Sequence, residues 1–84
     1  MFTLMLELGR NAEKAIKAGM SAYKDQGGNT TPEYLTTVVL QAMNAWTPRY
    51  KGVEVLTPSL RILFAKALGG LAFNLAAAEQ RKAA

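Results

Sequence analysis

Catalysis needs side chains that exchange protons, attack an electrophile or hold a metal, and this 84-residue chain offers few of them. It contains no histidine and no cysteine, which removes the commonest general base, the commonest neutral metal ligand and all thiolate chemistry. Its acids, Glu7, Glu13, Asp25, Glu33, Glu54 and Glu79, are scattered. Glu7 and Glu13 share one predicted helix but point apart, so they do not form an acid/base pair. No serine or lysine has an activating neighbour. The glycine-containing stretch Gln26-Gly27-Gly28-Asn29-Thr30 lacks the lysine of a phosphate-binding loop. We therefore expect a protein that is not an enzyme and that carries no metal site and no cofactor.

Binding chemistry is better represented. Arg10, Lys14, Lys17 and Lys24 recur at helical spacing and would line one face. Such a face suits phosphates, an acidic protein or an anionic membrane surface. Glu7 and Glu13 are interspersed with it, and Glu13 precedes Lys17 by four residues, the favourable order for an ion pair along a helix. Plain solvation of this face is therefore the leading expectation. Farther on, Trp46, Arg49, Tyr50 and Lys51 interleave aromatic and basic side chains, the types that dominate interface hot spots. Trp46 is expected to close a core stripe, which leaves Arg49 and Tyr50 as candidate contact residues. Net charge is +4, with +3 of it in residues 57–84; this permits an acidic partner without requiring one.

The adjacent glycines Gly69 and Gly70 admit two readings. Ala65, Gly69 and Leu75 fall at the alanine, glycine and aliphatic spacing of repressor-like proteins, with Leu68 and Ala78 on further apolar positions and Glu79 following. Over about 20 residues this stretch resembles a helix-turn-helix of that family, which implies a turn at the glycines and a DNA-reading helix behind it. The stretch departs from the pattern at Gly70, where the family has an aliphatic residue, and at Leu71, where it has a capping Ser or Thr. The second helix would present Ala72, Phe73, Asn74, Ala76 and Ala77, of which Asn74 alone suits a bidentate base contact. The other reading is a single helix with two apolar stripes. Leu60, Phe64, Ala67, Leu68, Leu71, Leu75 and Ala78 form the first, and Ile62, Ala65, Gly69, Phe73 and Ala76 the second. Gly69 would then be a close-packing point, and the second stripe a packing patch facing the other helices or another subunit. The departures favour this reading.

The elements that position these residues follow from periodicity and punctuation. All three prolines follow threonine, at Thr31-Pro32, Thr47-Pro48 and Thr57-Pro58, and this pair suits a helix start because threonine caps and proline fits the first helical position. A first helix is predicted from about Thr3 to Lys24, with Phe2, Met5, Leu8, Ala12, Ile16, Met20 and Tyr23 on its apolar face, and it stops at Gly27-Gly28. A second is predicted from Pro32 to Trp46 on Leu35, Val38, Val39, Ala42, Met43 and Trp46. A short helical turn is predicted near residues 48–51. The third helix begins at Pro58. The run around it, from Ile62 to Ala78, falls short of about 20 clean apolar residues and argues against a membrane span.

The expected fold is thus one all-α domain over residues 1–84, three helices with the third central and packed on two sides. The leading expectation for function is a protein–protein interaction module, either a self-associating assembly subunit or a small binding regulator. A helix-turn-helix DNA-binding protein and a basic amphipathic protein lying on a membrane surface are the alternatives. A signal peptide is not expected, because the start lacks a basic region and a small-residue cleavage site; the expected location is the cytoplasm, and a phage or virion origin would look the same.

Overall fold

The computed structural model describes the backbone at residues 2–45, 49–50, 52–54 and 56–83, and the side chains at 9–45, 52 and 56–82. Three helices account for most of it: α1 (Phe2–Asp25), α2 (Pro32–Met43) and α3 (Pro58–Ala83). Between α2 and α3 lie two-residue strands, β1 (Arg49–Tyr50) and β2 (Val53–Glu54), paired antiparallel with Arg49 opposite Glu54 and Tyr50 opposite Val53.

Local chemistry sets the boundaries. Thr31 Oγ1 accepts from the Tyr34 amide at 3.2 Å, and Thr57 Oγ1 accepts from the Leu60 amide at 3.3 Å. Each threonine therefore satisfies one of the amides that a helix start leaves unpaired. The prolines that follow are the first helical residues of α2 and α3. At the end of α1, Gly27 donates to the Lys24 carbonyl and Gly28 to the Tyr23 carbonyl, with φ of 61° and 83°. This is the paired closure of a Schellman motif, which needs the left-handed backbone that glycine adopts without strain. The short turn of helix expected near 48–51 is not formed. Arg49 and Tyr50 are extended, and Gly52 at φ 81° turns the chain back into β2. Trp46, Thr47, Pro48 and Lys51 lie outside the described residues.

The core has two parts. Ala15, Val39, Met43, Leu56 and Ala65 form one cluster, with Leu40, Ala42 and Leu68 packed against it. Tyr23, Leu35, Ala72 and Ala76 form the other, supported by Ile16, Met20, Phe73 and Ala77. The pairs Gly19/Ala72 and Lys24/Glu79 show that α1 runs alongside α3 in the same direction. The α2 helix returns between them, with Leu35 near the far end of α3 and Met43 near its start. Helix α3 packs against both other helices, as expected of a central element.

The two stripes of α3 have unequal fates. Ala65, Gly69, Ala72 and Ala76 are buried, recurring at intervals of four and three residues along one face. The large residues of the other stripe, Leu60, Phe64, Leu71 and Leu75, are exposed. Within that stripe Leu68 alone joins the core, because it sits at the edge nearest α1. Small residues win the inside because two helices must approach α3 at once, and a short side chain lets a backbone come close.

Candidate functional site

Five residues were expected to form a packing patch on α3. Ala65, Gly69 and Ala76 are buried, and Phe73 is half-buried with its ring 5.3 Å from that of Tyr23 in an edge-to-face arrangement. Their neighbours belong to α1 and α2 of the same chain. Ile62 lies one turn beyond the contact and is exposed. A Cβ on Gly69 would stand 2.7 Å from the Thr36 amide nitrogen and 2.8 Å from its Cα and Oγ1. Backbone cannot step aside as a flexible side chain can, so only glycine fits here. The Thr36 hydroxyl meanwhile donates to the Pro32 carbonyl at 2.9 Å, which keeps it folded against its own helix. A Cβ on Gly19 would likewise meet Ala72 Cβ at 2.8 Å. By contrast, nothing lies within 4 Å of a Cβ built on Gly70.

The glycine pair is helical, within an unbroken α3. The turn that a helix-turn-helix requires is therefore absent, and the resemblance at Ala65, Gly69 and Leu75 reflects helical packing by small and apolar residues.

The outer face of α3 was not anticipated as a solvent-facing surface. Leu60, Leu63, Phe64, Leu71 and Leu75 lie between 40% and 61% exposed, and Ala67 between them is exposed too. Scaled from these values, the five large side chains show on the order of 400–500 Å² of apolar surface, the size of the largest patch on an ordinary monomer and often a functional one. A signal for this was present in the sequence, since a helix apolar on two sides has one side to spare when its neighbours are few.

Arg10, Lys14 and Lys17 of α1 are exposed on the side turned away from its contacts with α3, and Lys24 is exposed at the edge beside α3. Lys17 pairs with Glu13 at 3.3 Å, and Lys24 with Glu79 of α3 at 3.2 Å. Both pairs are well exposed and so contribute little to stability. Lys24 is tied to the fold, whereas Arg10 and Lys14 carry their charge outwards. Arg49 and Tyr50 are placed in β1 by the backbone.

A groove of about 350 Å³ opens where α1 ends against α3, lined by Tyr23, Lys24, Gly27, Gly28, Ala76, Glu79 and Gln80. Its polar groups are used internally: Tyr23 donates its hydroxyl to Gln80 Oε1 at 2.9 Å, and Lys24 pairs with Glu79. Among the described residues no three acidic side chains gather where they could hold a metal.

By length and composition alone, Pro58–Lys82 is long enough to cross a bilayer at 25 residues, and its most apolar 18-residue stretch has a mean hydropathy of 1.4. The core helix of a folded bundle passes the same test, and the run from Ile62 to Ala78 is interrupted by Lys66 and Asn74. The bundle also ties its inner face to α1 and α2, whose exposed Glu13, Lys14, Lys17 and Glu33 would enter the hydrocarbon with it.

Compared with known proteins, the chain matches no family, no curated protein and no solved structure at a significant level.

Proposed function

We propose that the protein is a non-enzymatic helical interaction module that docks onto protein through the outer face of α3. The observation that carries this reading is the continuous row Leu60, Phe64, Ala67, Leu71 and Leu75, exposed on a helix whose opposite face already holds the molecule together. Leaving a row of leucines in water is costly, and covering it returns roughly 25 cal/mol per Å² before the costs of association.

A protein surface is favoured over a lipid one by the placement of charge. The cations Arg10, Lys14 and Lys17 point away from α3, and the leucine row points away from α1. A single flat membrane surface would engage one of these and not both, whereas amphipathic membrane helices carry both on one side. The DNA-binding alternative loses its main support with the missing turn.

Size-exclusion chromatography with light scattering, from low micromolar to near-millimolar concentration, tests the reading. The wild-type chain is expected to exceed its monomer mass as concentration rises, and a folded Leu71→Asp variant to remain a monomer. Self-association that Leu71→Asp leaves unchanged would refute it.

A further inference from the structure

We infer that the occupant of the outer α3 face is a second copy of this chain, with the two α3 helices side by side and antiparallel. The inference rests on the docking role proposed above and names its partner.

Three features of the row point to this arrangement. The first is shape. The positions Leu60, Phe64, Ala67, Leu71, Leu75 and Ala78 are spaced almost symmetrically about Gly69. Reversing one copy about that point sets Leu60 against Ala78 and Ala67 against Leu71, so large meets small at these levels, with Phe64 against Leu75 between them. A parallel pair in register would set Ala67 on Ala67, Ala78 on Ala78 and Phe64 on Phe64. Gaps would then alternate with clashes, and close packing tolerates neither.

The second feature is charge. Arg61 and Glu79 are five turns apart and lie along the same flank of the row. In an antiparallel pair, equivalent flanks face each other, so Arg61 of each copy comes opposite Glu79 of the other. Glu79 already holds Lys24 at its own surface, and a carboxylate accepts more than one donor. Parallel pairing would match Asn74 with Asn74, but it would also gather Arg81 and Lys82 of both copies at one end. The antiparallel pair separates those cations and opposes the two helix dipoles.

The third feature is area. Two patches of this size cover at most about 900 Å² together, below the roughly 1,200 Å² of a stable specific interface and in the range of weak, transient ones. The pairing is therefore a weak and reversible one, in keeping with a chain that folds as a bundle before it pairs.

The test uses a spin label on Lys82→Cys, exposed beyond the end of the paired row in a chain with no other cysteine, together with the mass of the unlabelled protein by sedimentation. In the antiparallel dimer the two labelled positions lie about 39 Å apart along the helix axes, from 26 residues at 1.5 Å each. In a parallel dimer they lie about 8–10 Å apart, the spacing of packed helices. The expected result is a dimer that Leu71→Asp abolishes, with the long label distance. A dimer abolished by Leu71→Asp but showing the short distance overturns the antiparallel pairing and leaves the docking face standing. An open-ended assembly overturns the closed pair in the same way. A strict monomer near millimolar concentration overturns the second copy as occupant, and a dimer insensitive to Leu71→Asp overturns the docking role of this face and this inference with it.

Discussion

The two faces of α3 are built from the same apolar alphabet and are put to different uses. The inner face is Ala65, Gly69, Ala72 and Ala76, all buried, and the large residues of the outer face, Leu60, Phe64, Leu71 and Leu75, are exposed. Side-chain size rather than hydrophobicity separates them. Two helices that must lie close to a third need flat ground, and large residues there would hold them off. The large residues are left for a surface that can be covered after folding. The sharpest contrast is between neighbours: Gly69 faces the Thr36 backbone, and Gly70, one residue on, faces open space.

This contrast can be broken at several points. The largest effect is expected from Gly69→Leu, whose side chain would drive α2 off α3; we expect loss of cooperative unfolding by circular dichroism. Leu35→Ala removes a fully buried side chain that fills the second cluster, and should cost about 2–5 kcal/mol in urea titration. Gly19→Ala brings a methyl group against that of Ala72. Ala72 Cβ is fixed to its own backbone and cannot rotate aside, so a loss of about 1–3 kcal/mol is expected by the same measurement. Tyr23→Phe removes the hydrogen bond to Gln80 but keeps the ring against Phe73, and should cost about 0.5–1.5 kcal/mol. On the outer face, Leu71→Asp should leave the unfolding free energy of the monomer within about 0.5 kcal/mol of wild type. A large loss there would show that the outer face belongs to the core.

Much of the fold was legible from residue order. The Thr-Pro pairs at 31–32 and 57–58 marked helix starts that the threonine hydroxyls do cap, and Gly27-Gly28 marked a helix end that the left-handed backbone does close. The α2 stripe also matched, through Leu35, Val39 and Met43. The partition of α3 was not legible, because periodicity shows which residues share a face and not which of two apolar faces a neighbour will choose. Gly19 falls on the apolar face of α1 in the sequence and is buried there, but Ala15 was missed as core for a related reason: small residues register weakly on any apolar scale, yet they decide where helices touch. Arg49-Tyr50 read as a helical turn behind a proline. It became a strand because Gly52 allows the reversal that pairs it with Val53-Glu54. As for the candidate site, Ala65, Gly69, Phe73 and Ala76 were visible as a patch, but which helices would use it depends on contacts that span the whole chain.

The central claim, that one helix has a closed face and an open one, is tested most directly by placing the same methyl group on each side of it. Urea unfolding of Gly69→Ala and Gly70→Ala compares them with the helix-propensity gain held equal. The account predicts that Gly69→Ala destabilises the fold by about 1–3 kcal/mol through overpacking against Thr36, while Gly70→Ala stabilises it by up to about 1 kcal/mol. Shifts of the same sign and size would contradict it.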